Sequence, residues 1–272
     1  MALATISGIE PPNQDPSASS SSGPPLPHEI RQEVPKVRTK TTRPIMSPSS
    51  ERAHIRTERL LIRPPLESDL DAIHALRTQP EVMQWTIAGC VDADVGVTRE
   101  WMARFMPPVN DLKSFQFVIL YTGEEQEGGT LIGTGSCMNA QGQPEIGYMF
   151  RKEFWGKGLA TEFVRALTKA WWALPRKEVV VETDADLLLL PLPPAGGADD
   201  EKKGAEEETI VEIPEILIAV INAENQGSRK VLEKSSFREY KTWTEPDARP
   251  GYGGLINLVG FRMEAPTSAA LS

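Results

Sequence analysis

The residues with the clearest chemical meaning are two glycines, Gly156 and Gly158, which flank Lys157 in the segment EIGYMFRKEFWGKGLATEFVRALTKAWW. This segment reads as a short strand, a tight turn and a helix. The first turn of a helix has N–H groups without internal acceptors, and the aligned peptide dipoles add partial positive charge there. Glycines let an anion approach the backbone without striking a Cβ atom. The pattern therefore indicates a turn that binds phosphate.

A second interpretation of the two glycines is an ordinary corner between a strand and a helix. The turn lacks the Rossmann dinucleotide fingerprint, since Thr161 occupies the position of its third glycine. It is not a P-loop either, since no Gly-Lys-Ser/Thr follows. Phosphate binding is favoured by a downstream segment, NAENQGSRKVLEKSSF at residues 222–237, which follows an apolar run at 216–221.

Together the two segments resemble the GNAT superfamily of acyl-CoA N-acyltransferases, in the branch of the ribosomal-protein N-terminal acetyltransferases RimJ and RimL. In that branch a strand E-I-G-Y precedes W-G-K-G-x-A-T-E, and N-x-x-S-x-x-V-L-E-K-x-G-F follows later. Residues 145–148, 155–162 and 225–237 match these motifs nearly position for position. The resemblance covers roughly Thr57 to Met263 with one long insertion. Its motifs are specific for the fold and the cofactor, not for the acceptor.

The resemblance implies one α/β (α+β) domain, with a mixed, largely antiparallel sheet of six or seven strands and helices on both faces. It implies acetyl-CoA as co-substrate. Backbone amides of the glycine turn would bind the pyrophosphate, Lys157 would add charge, and the edge of the preceding strand would pair with the pantetheine. The cofactor contacts predicted in this way are Tyr148, Met149, Phe150, Arg151, Trp155, Gly156, Lys157, Gly158, Leu159, Ala160 and Asn225.

Acyl transfer to an amine also needs a base, an acid and stabilisation of the oxyanion. By resemblance, Glu145 is the candidate base and Ser228 the candidate that protonates the leaving thiolate, while a backbone N–H near Met149 or Phe150 meets the oxyanion. Each side chain has a simpler explanation. Glu145 is also typical of a charge at a strand edge, and Asn225 and Ser228 are ordinary residues for the start of a helix. Tyr240 and Tyr252 are alternative acids.

The predicted function is N-acetyl transfer from acetyl-CoA to a primary amine by direct attack, since neither Cys90 nor Cys137 lies in a motif. The acceptor is a protein N-terminus or a small molecule. Glu153 and the long insertion favour an alternative, a non-catalytic acyl-CoA-binding or partner-binding module. Glu153 stands where the family usually has Gln or Arg, and Ser236 replaces a glycine, which fits only if this residue avoids positive φ.

Composition limits the other function classes. A net charge of −9 argues against general DNA binding, and two cysteines without metal-ligand or disulfide spacing suit a reducing compartment. No apolar run approaches the length of a membrane span. We expect a cytoplasmic or nuclear protein without bound metal, either a monomer or a weak dimer.

The domain boundaries follow from changes in composition. Residues 1–56 are rich in Pro and Ser and then in basic residues, which predicts a disordered tail. The GNAT-like domain is expected at 57–263, with an insertion at about 175–212 that forms a strand or hairpin at its apolar ends and is disordered through its acidic part, 196–208. The last residues, 264–272, are predicted to be unstructured.

Overall fold

Eleven strands and six helices form the part of the chain described by the computed structural model, residues 34–107, 112–123, 128–140, 142–189 and 210–266. The strands are β1 Lys36–Pro44, β2 Ile55–Arg56, β3 Leu60–Arg63, β4 Ser114–Tyr121, β5 Thr130–Ala140, β6 Gln143–Phe150, β7 Arg176–Asp184, β8 Val211–Glu212, β9 Ile216–Asn222, β10 Arg238–Pro246 and β11 Leu255–Glu264. The helices are α1 Leu70–Arg77, α2 Pro80–Met83, α3 Val95–Ala103, α4 Leu159–Trp172, α5 Ala185–Leu188 and α6 Gln226–Lys234.

The main sheet has eight strands in the order β10-β11-β9-β6-β5-β4-β3-β2. All of its neighbouring strands are antiparallel except β6 and β9, which confirms the prediction of a mixed, largely antiparallel sheet. The expected six or seven strands become eight because the two-residue strand β2 extends one edge. A second sheet, in the order β7-β1-β8, was not predicted.

Helices cover both faces of the main sheet, as predicted, and strand β4 shows why. Side chains alternate across a strand, so Phe117 and Ile119 join one buried cluster and Val118 and Leu120 join another. The first cluster includes residues of α4 and α6, and the second includes residues of α1 and α3. Each fully buried Phe or Ile side chain contributes about 1.5–3 kcal/mol of transfer free energy. Burial on both faces therefore fixes the register of this central strand.

The prediction of a disordered tail is wrong for residues 36–44 and 55–56, which form β1 and β2. Strand β1 pairs along its whole length with β7, from Lys36↔Asp184 to Pro44↔Arg176. Thr39 is buried, and its hydroxyl lies 2.7 Å from that of Thr183. Composition missed this strand because its stability comes from a partner about 140 positions away, which local sequence cannot reveal. The rest of the predicted tail, residues 1–33, lies outside the described residues.

The predicted insertion contains β7, the short helix α5 and strand β8. Its acidic part, residues 196–208, lies outside the described residues. At the end of the chain, β11 continues to Glu264, one residue into the predicted unstructured segment. Residues 267–272 also lie outside the described part.

A buried carboxylate, Glu215, joins the second sheet to the main domain. It accepts hydrogen bonds from the Trp171 indole N–H (3.2 Å) and the Thr42 hydroxyl (3.1 Å). The Arg176 guanidinium lies 2.9 Å away. Burial raises the pKa of Glu215 above its ordinary value of 4.5, although Arg176 and the hydrogen bonds oppose the shift.

Candidate active site

The glycine turn has the backbone conformation that only glycine adopts without strain. Gly156 has φ +74° and Gly158, the N-cap of α4, has φ +79°. A Cβ atom at Gly156 would meet no atom within 4 Å. The space in front of the turn is therefore open, and the free N–H groups of the first helical turn lie beside it. This is the geometry expected of an anion site.

Two residues to which the sequence analysis gave no role hold this turn in place. Glu162, in the first turn of α4, accepts hydrogen bonds from the Thr57 hydroxyl (2.6 Å) and the Arg59 backbone N–H (3.0 Å). The Arg59 guanidinium pairs with the same carboxylate and also donates to the Lys157 carbonyl (3.0 Å). Glu162 is the last residue of the WGKGLATE motif, and its place in that motif is the sequence signal for this role.

The pKa of Glu162 reflects these contacts. Partial burial alone would raise it, but the hydrogen bonds from Thr57 and Arg59 and the guanidinium charge outweigh burial and lower it below 4.5. The carboxylate is therefore charged at neutral pH and ties the start of β3 to the helix.

Other predicted cofactor residues have structural contacts of their own. The Trp155 indole N–H donates to the Phe150 carbonyl (2.8 Å), and the Lys157 ammonium lies 5.1 Å from the centre of the Phe154 ring. Leu159 is buried in the core, so this residue offers a ligand only its backbone. Ala160 packs against the same core.

The Glu153 side chain, which differs from the Gln or Arg usual in the family, contacts Gln79. Its carboxylate accepts two hydrogen bonds from the Gln79 amide, at 3.0 and 3.1 Å. Hydrogen bonds from its own backbone N–H and from Gln79 lower its pKa. The Gln79 side chain also accepts from the Lys152 backbone N–H (2.9 Å). Glu153 thus links the turn after β6 to the start of α2.

Strands β6 and β9 diverge beside this turn. Among the described residues, the two strands pair at Glu145 and Ile218, near the start of both strands. The Arg151 N–H donates to the Ile132 carbonyl (2.7 Å), so antiparallel alternation directs the backbone groups of odd-numbered β6 residues toward β5. Tyr148 and Phe150 consequently direct theirs toward the gap beside β9. Residues 148–151 were predicted to pair with the pantetheine. The backbone groups of Tyr148 and Phe150 face the opening, whereas those of Met149 and Arg151 face β5.

Side chains of β6 are divided between the two faces of the sheet. Tyr148 and Phe150 pack with Phe163 of α4, at ring distances of 6.4 and 5.9 Å. Met149 points to the opposite face and joins a cluster with residues of α1 and α2. Glu145 has the same parity as Met149 and is 2% exposed. The Arg151 guanidinium donates to the Ala72 carbonyl of α1 (3.0 Å). Glu145, the candidate base, therefore lies on the face opposite Tyr148.

Ser228, near the start of α6, places its hydroxyl close to that of Tyr148. The Asn225 side chain accepts a hydrogen bond from the Ser228 backbone N–H (3.0 Å) and so acts as the N-cap of α6. The hydroxyl oxygens of Tyr148 and Ser228 are buried without a hydrogen-bond partner in the described structure. Burial raises the pKa of Tyr148, while the nearby Ser228 hydroxyl acts in the opposite direction. Two unsatisfied buried hydroxyls are costly unless a ligand completes them.

A cavity of about 70 Å³ lies on the other face, beside Glu145. Its walls come from both sheets: Ile218 and Val220 of β9 on one side, and Glu182 and Asp184 of β7 on the other. Tyr240 lines the cavity as well, whereas Tyr252 donates to the Gly89 carbonyl (3.0 Å). The contribution of β7 was missed because it depends on the pairing of β1 with the insertion.

Ser236, which replaces a family glycine, was expected to fit only without a positive φ. Its φ is +68°, so that expectation is not met. Serine here adopts the left-handed conformation that glycine favours, at a cost of about 1–2 kcal/mol. The turn after α6 is nevertheless preserved, and Phe237 packs into the core.

The sequence profile of the acetyltransferase (GNAT) domain matches residues 59–238, more than half of the chain. The protein belongs to the GNAT family. The resemblance drawn from the motifs is thereby confirmed, and with it the assignment to a family of acetyltransferases. No curated protein is significantly similar to the chain in sequence.

Solved structures show the same fold. A GNAT-family acetyltransferase from Bacillus anthracis aligns with a TM-score of 0.53 at 20% identity, covering 78% of this chain and 99% of that one. RimJ of Mycobacterium smegmatis, in complex with CoA-disulfide, aligns with a TM-score of 0.52 at 17% identity, covering 83% and 95%. The microcin C7 self-immunity acetyltransferase MccE, in complex with acetyl-CoA and AMP, gives 0.52 at 12% identity, covering 76% and 93%.

The GNAT fold of this chain is thus shared with proteins that bind CoA or acetyl-CoA. Binding of an acyl-CoA co-substrate is the property expected of the family. Within the described ranges, no helix is long and apolar enough to cross a membrane.

Proposed function

We propose that this GNAT protein is an N-acetyltransferase that transfers an acetyl group from acetyl-CoA to a primary amine by direct attack. One observation carries the proposal. The gap between β6 and β9 opens beside the glycine turn and has a buried carboxylate, Glu145, on one face and two unsatisfied hydroxyls on the other.

The residues of the opening fit acetyl-CoA. The N–H groups after Gly156 can bind the pyrophosphate, since the turn is open in front and lies at a helix N-terminus. The backbone of Tyr148 faces the gap, where it can pair with a pantetheine amide, while the Phe150 carbonyl already accepts from the Trp155 indole. When bound, the co-substrate supplies an activated acetyl thioester. The hydroxyls of Tyr148 and Ser228, which have no hydrogen-bond partner among the described residues, are the side-chain groups that we assign to a polar ligand.

The chemistry assigned to this chain's residues is proton transfer and orientation. Glu145 accepts the amine proton from the face opposite α4 and α6, and the Phe150 N–H donates to the carbonyl oxygen as negative charge develops there. As the amide bond forms and the thioester C–S bond breaks, Ser228 donates a hydrogen bond and then a proton to the sulfur. Water returns a proton to the Ser228 oxygen, and Glu145 releases the amine proton to solvent. Tyr148, whose pKa is raised by burial, stays neutral beside the Ser228 hydroxyl.

A second candidate function is a non-catalytic acyl-CoA-binding module. Glu153 favours it, because a carboxylate held beside the turn by Gln79 places negative charge near a bound phosphate. The acceptor in the main proposal is a protein N-terminus or a small amine, and a cytoplasmic or nuclear location with a monomer or weak dimer remains our expectation.

The proposal is tested by calorimetry with acetyl-CoA, followed by turnover across a panel of amines. Gly158→Glu should abolish binding because it adds bulk and negative charge at the helix N-terminus. Gly158→Ala is the matched control, since it imposes the same positive-φ strain without charge and should weaken binding far less. Binding without turnover of any amine would select the non-catalytic module, and no binding by the intact protein would refute both functions.

A further inference from the structure

The cavity beside Glu145 has a marked charge imbalance. Its lining includes five carboxylates, Glu145, Glu182, Asp184, Asp186 and Glu245, and one cationic side chain, Lys241. Three of the carboxylates come from β7 and α5, which belong to the insertion. A cavity lined in this way favours cationic ligands and disfavours anionic ones.

The cavity already contains one primary ammonium, that of Lys241. Its Nζ pairs with Asp186 and lies 5.8 Å from the centre of the Trp243 ring. The Trp243 indole N–H donates to Glu245 (2.8 Å), which fixes the orientation of the ring. A carboxylate and an aromatic face are the partners that an alkylammonium ion prefers. The chain's own lysine thus shows which group this wall can hold.

The opposite wall is apolar. Ile218, Val220 and Leu258 line it, on the face of the main sheet that carries Glu145. Exposure increases from the main sheet to the second sheet: Glu145 is buried, Asp184 is half-buried and Glu182 is exposed. A ligand that fits both walls has an alkyl segment along the apolar side and a positive charge toward the acidic rim.

We infer that this cavity is the acceptor subsite and that it selects an amine carrying a second positive charge a few carbon atoms from the reacting nitrogen. The inference rests on the proposed function, because it specifies the acceptor class for the same opening. The reacting amine lies at Glu145 and the second charge lies between Glu182 and Asp184. Both an aliphatic diamine and a peptide with lysine after its N-terminal residue have this chemistry.

The test compares 1,4-diaminobutane with n-butylamine, which has the same chain length and one charge. A second pair, the tripeptides Ser-Lys-Ala and Ser-Ala-Ala, separates a polypeptide source from a small-molecule source. Binding of each ligand to the CoA-loaded full chain is measured by calorimetry, and acetylated product is measured separately by mass spectrometry. The variant is Glu182→Gln with Asp184→Asn. The matched control is Glu178→Gln, which removes a carboxylate from the same strand outside the cavity.

The intact protein and the Glu178→Gln control should bind at least one dicationic ligand about three- to tenfold more tightly than its monocationic partner. The double variant should lose this preference while keeping its affinity for acetyl-CoA. Equal binding of both members of each pair, or a preference that survives in the double variant, would overturn the inference.

Binding and product separate this inference from the proposed function. Selective binding of a dicationic ligand without acetylated product would refute N-acetyl transfer and leave the subsite assignment intact. Equal acetylation of mono- and dicationic amines would support the enzyme and refute the subsite.

Discussion

The glycine-turn side and the cavity side of the β6–β9 opening are built in different ways. On the turn side, the groups that face a ligand are backbone amides of neighbouring residues, shaped by Gly156 and Gly158. On the cavity side, they are side chains from β6, β7, β9 and β10, which are far apart in the chain. The turn needs one contiguous segment, whereas the cavity needs two sheets to come together.

This difference explains which part of the site can vary. A backbone site of this kind depends little on the side chains that face the ligand, and Lys157 can differ without removing the amides. The cavity depends on individual carboxylates, so a single substitution changes its charge. We therefore expect variants on the turn side to affect co-substrate binding and variants on the cavity side to affect the acceptor step.

The largest effect is expected for Glu145→Gln, which should lower kcat by about 10²- to 10⁴-fold because it removes the proposed base. Affinity for acetyl-CoA should not change, since Glu145 lies on the opposite face from α4, whose N-terminus forms the proposed pyrophosphate site. Initial rates with an amine found in the panel, together with calorimetry, measure both quantities. Glu153→Gln, on the turn side, serves as the control and should keep kcat. A Glu145→Gln variant with near-normal kcat would contradict the assignment of the acceptor step to the cavity side.

The next largest effect concerns stability. Arg176→Met leaves the buried Glu215 carboxylate without its ion-pair partner and should lower the free energy of unfolding by about 3–5 kcal/mol. On the turn side, Arg59→Met should cost about 1 kcal/mol or less, because that guanidinium is 36% exposed and screened by solvent. Urea denaturation compares the two. Equal losses would contradict the idea that the second sheet is attached through a buried charge.

A smaller effect is expected from the two buried serine hydroxyls at opposite ends of α6. Ser228→Ala should lower kcat by about ten- to hundredfold, because Ser228 is proposed to protonate the sulfur. Ser235→Ala removes an equally buried and unpartnered hydroxyl at the far end of the helix and should leave kcat unchanged. A steady-state comparison at several pH values is decisive, and similar losses in both variants would reduce Ser228 to a structural role.

The smallest effect is a contrast in pH dependence between Glu162 and Glu215. The folded-state pKa of Glu162 is lowered, so its stabilisation is present above pH 4.5 and disappears as pH falls through the folded pKa. The folded-state pKa of Glu215 is raised, so its contribution is present below pH 4.5 and disappears as pH rises through the folded pKa.

Substitution by glutamine separates the two carboxylates. The stability difference between intact protein and Glu162→Gln should shrink by up to about 1 kcal/mol between pH 6 and pH 3. Relative to Glu215→Gln, the intact protein should gain stability as pH falls from 7 toward 4.5. Denaturant midpoints across this range measure both trends, and trends of the same sign would contradict the assigned pKa directions.

The glycine-turn side of the site could be predicted from sequence more fully than the cavity side. The glycine turn, the β6 strand and the helix cap at Asn225 were predictable because each depends on residues within a few positions of one another. The split of Tyr148 and Met149 between two faces follows from strand alternation, although the assignment of each face needed the packing of Phe163 and of α1. The role of Glu162 was within reach, because it lies in the motif, but its partners Thr57 and Arg59 are about 100 positions away.

The sequence by itself determined the family, the central fold and the position of the turn, because these depend on local motifs and on alternation of buried residues along strands. Only the tertiary structure decided that β1 is a strand, that it pairs with the insertion and that Glu182 and Asp184 reach the cavity of Glu145. Those features depend on contacts between distant segments. Their free energy comes from pairing and burial between the segments, and neither segment has a pattern that specifies its partner.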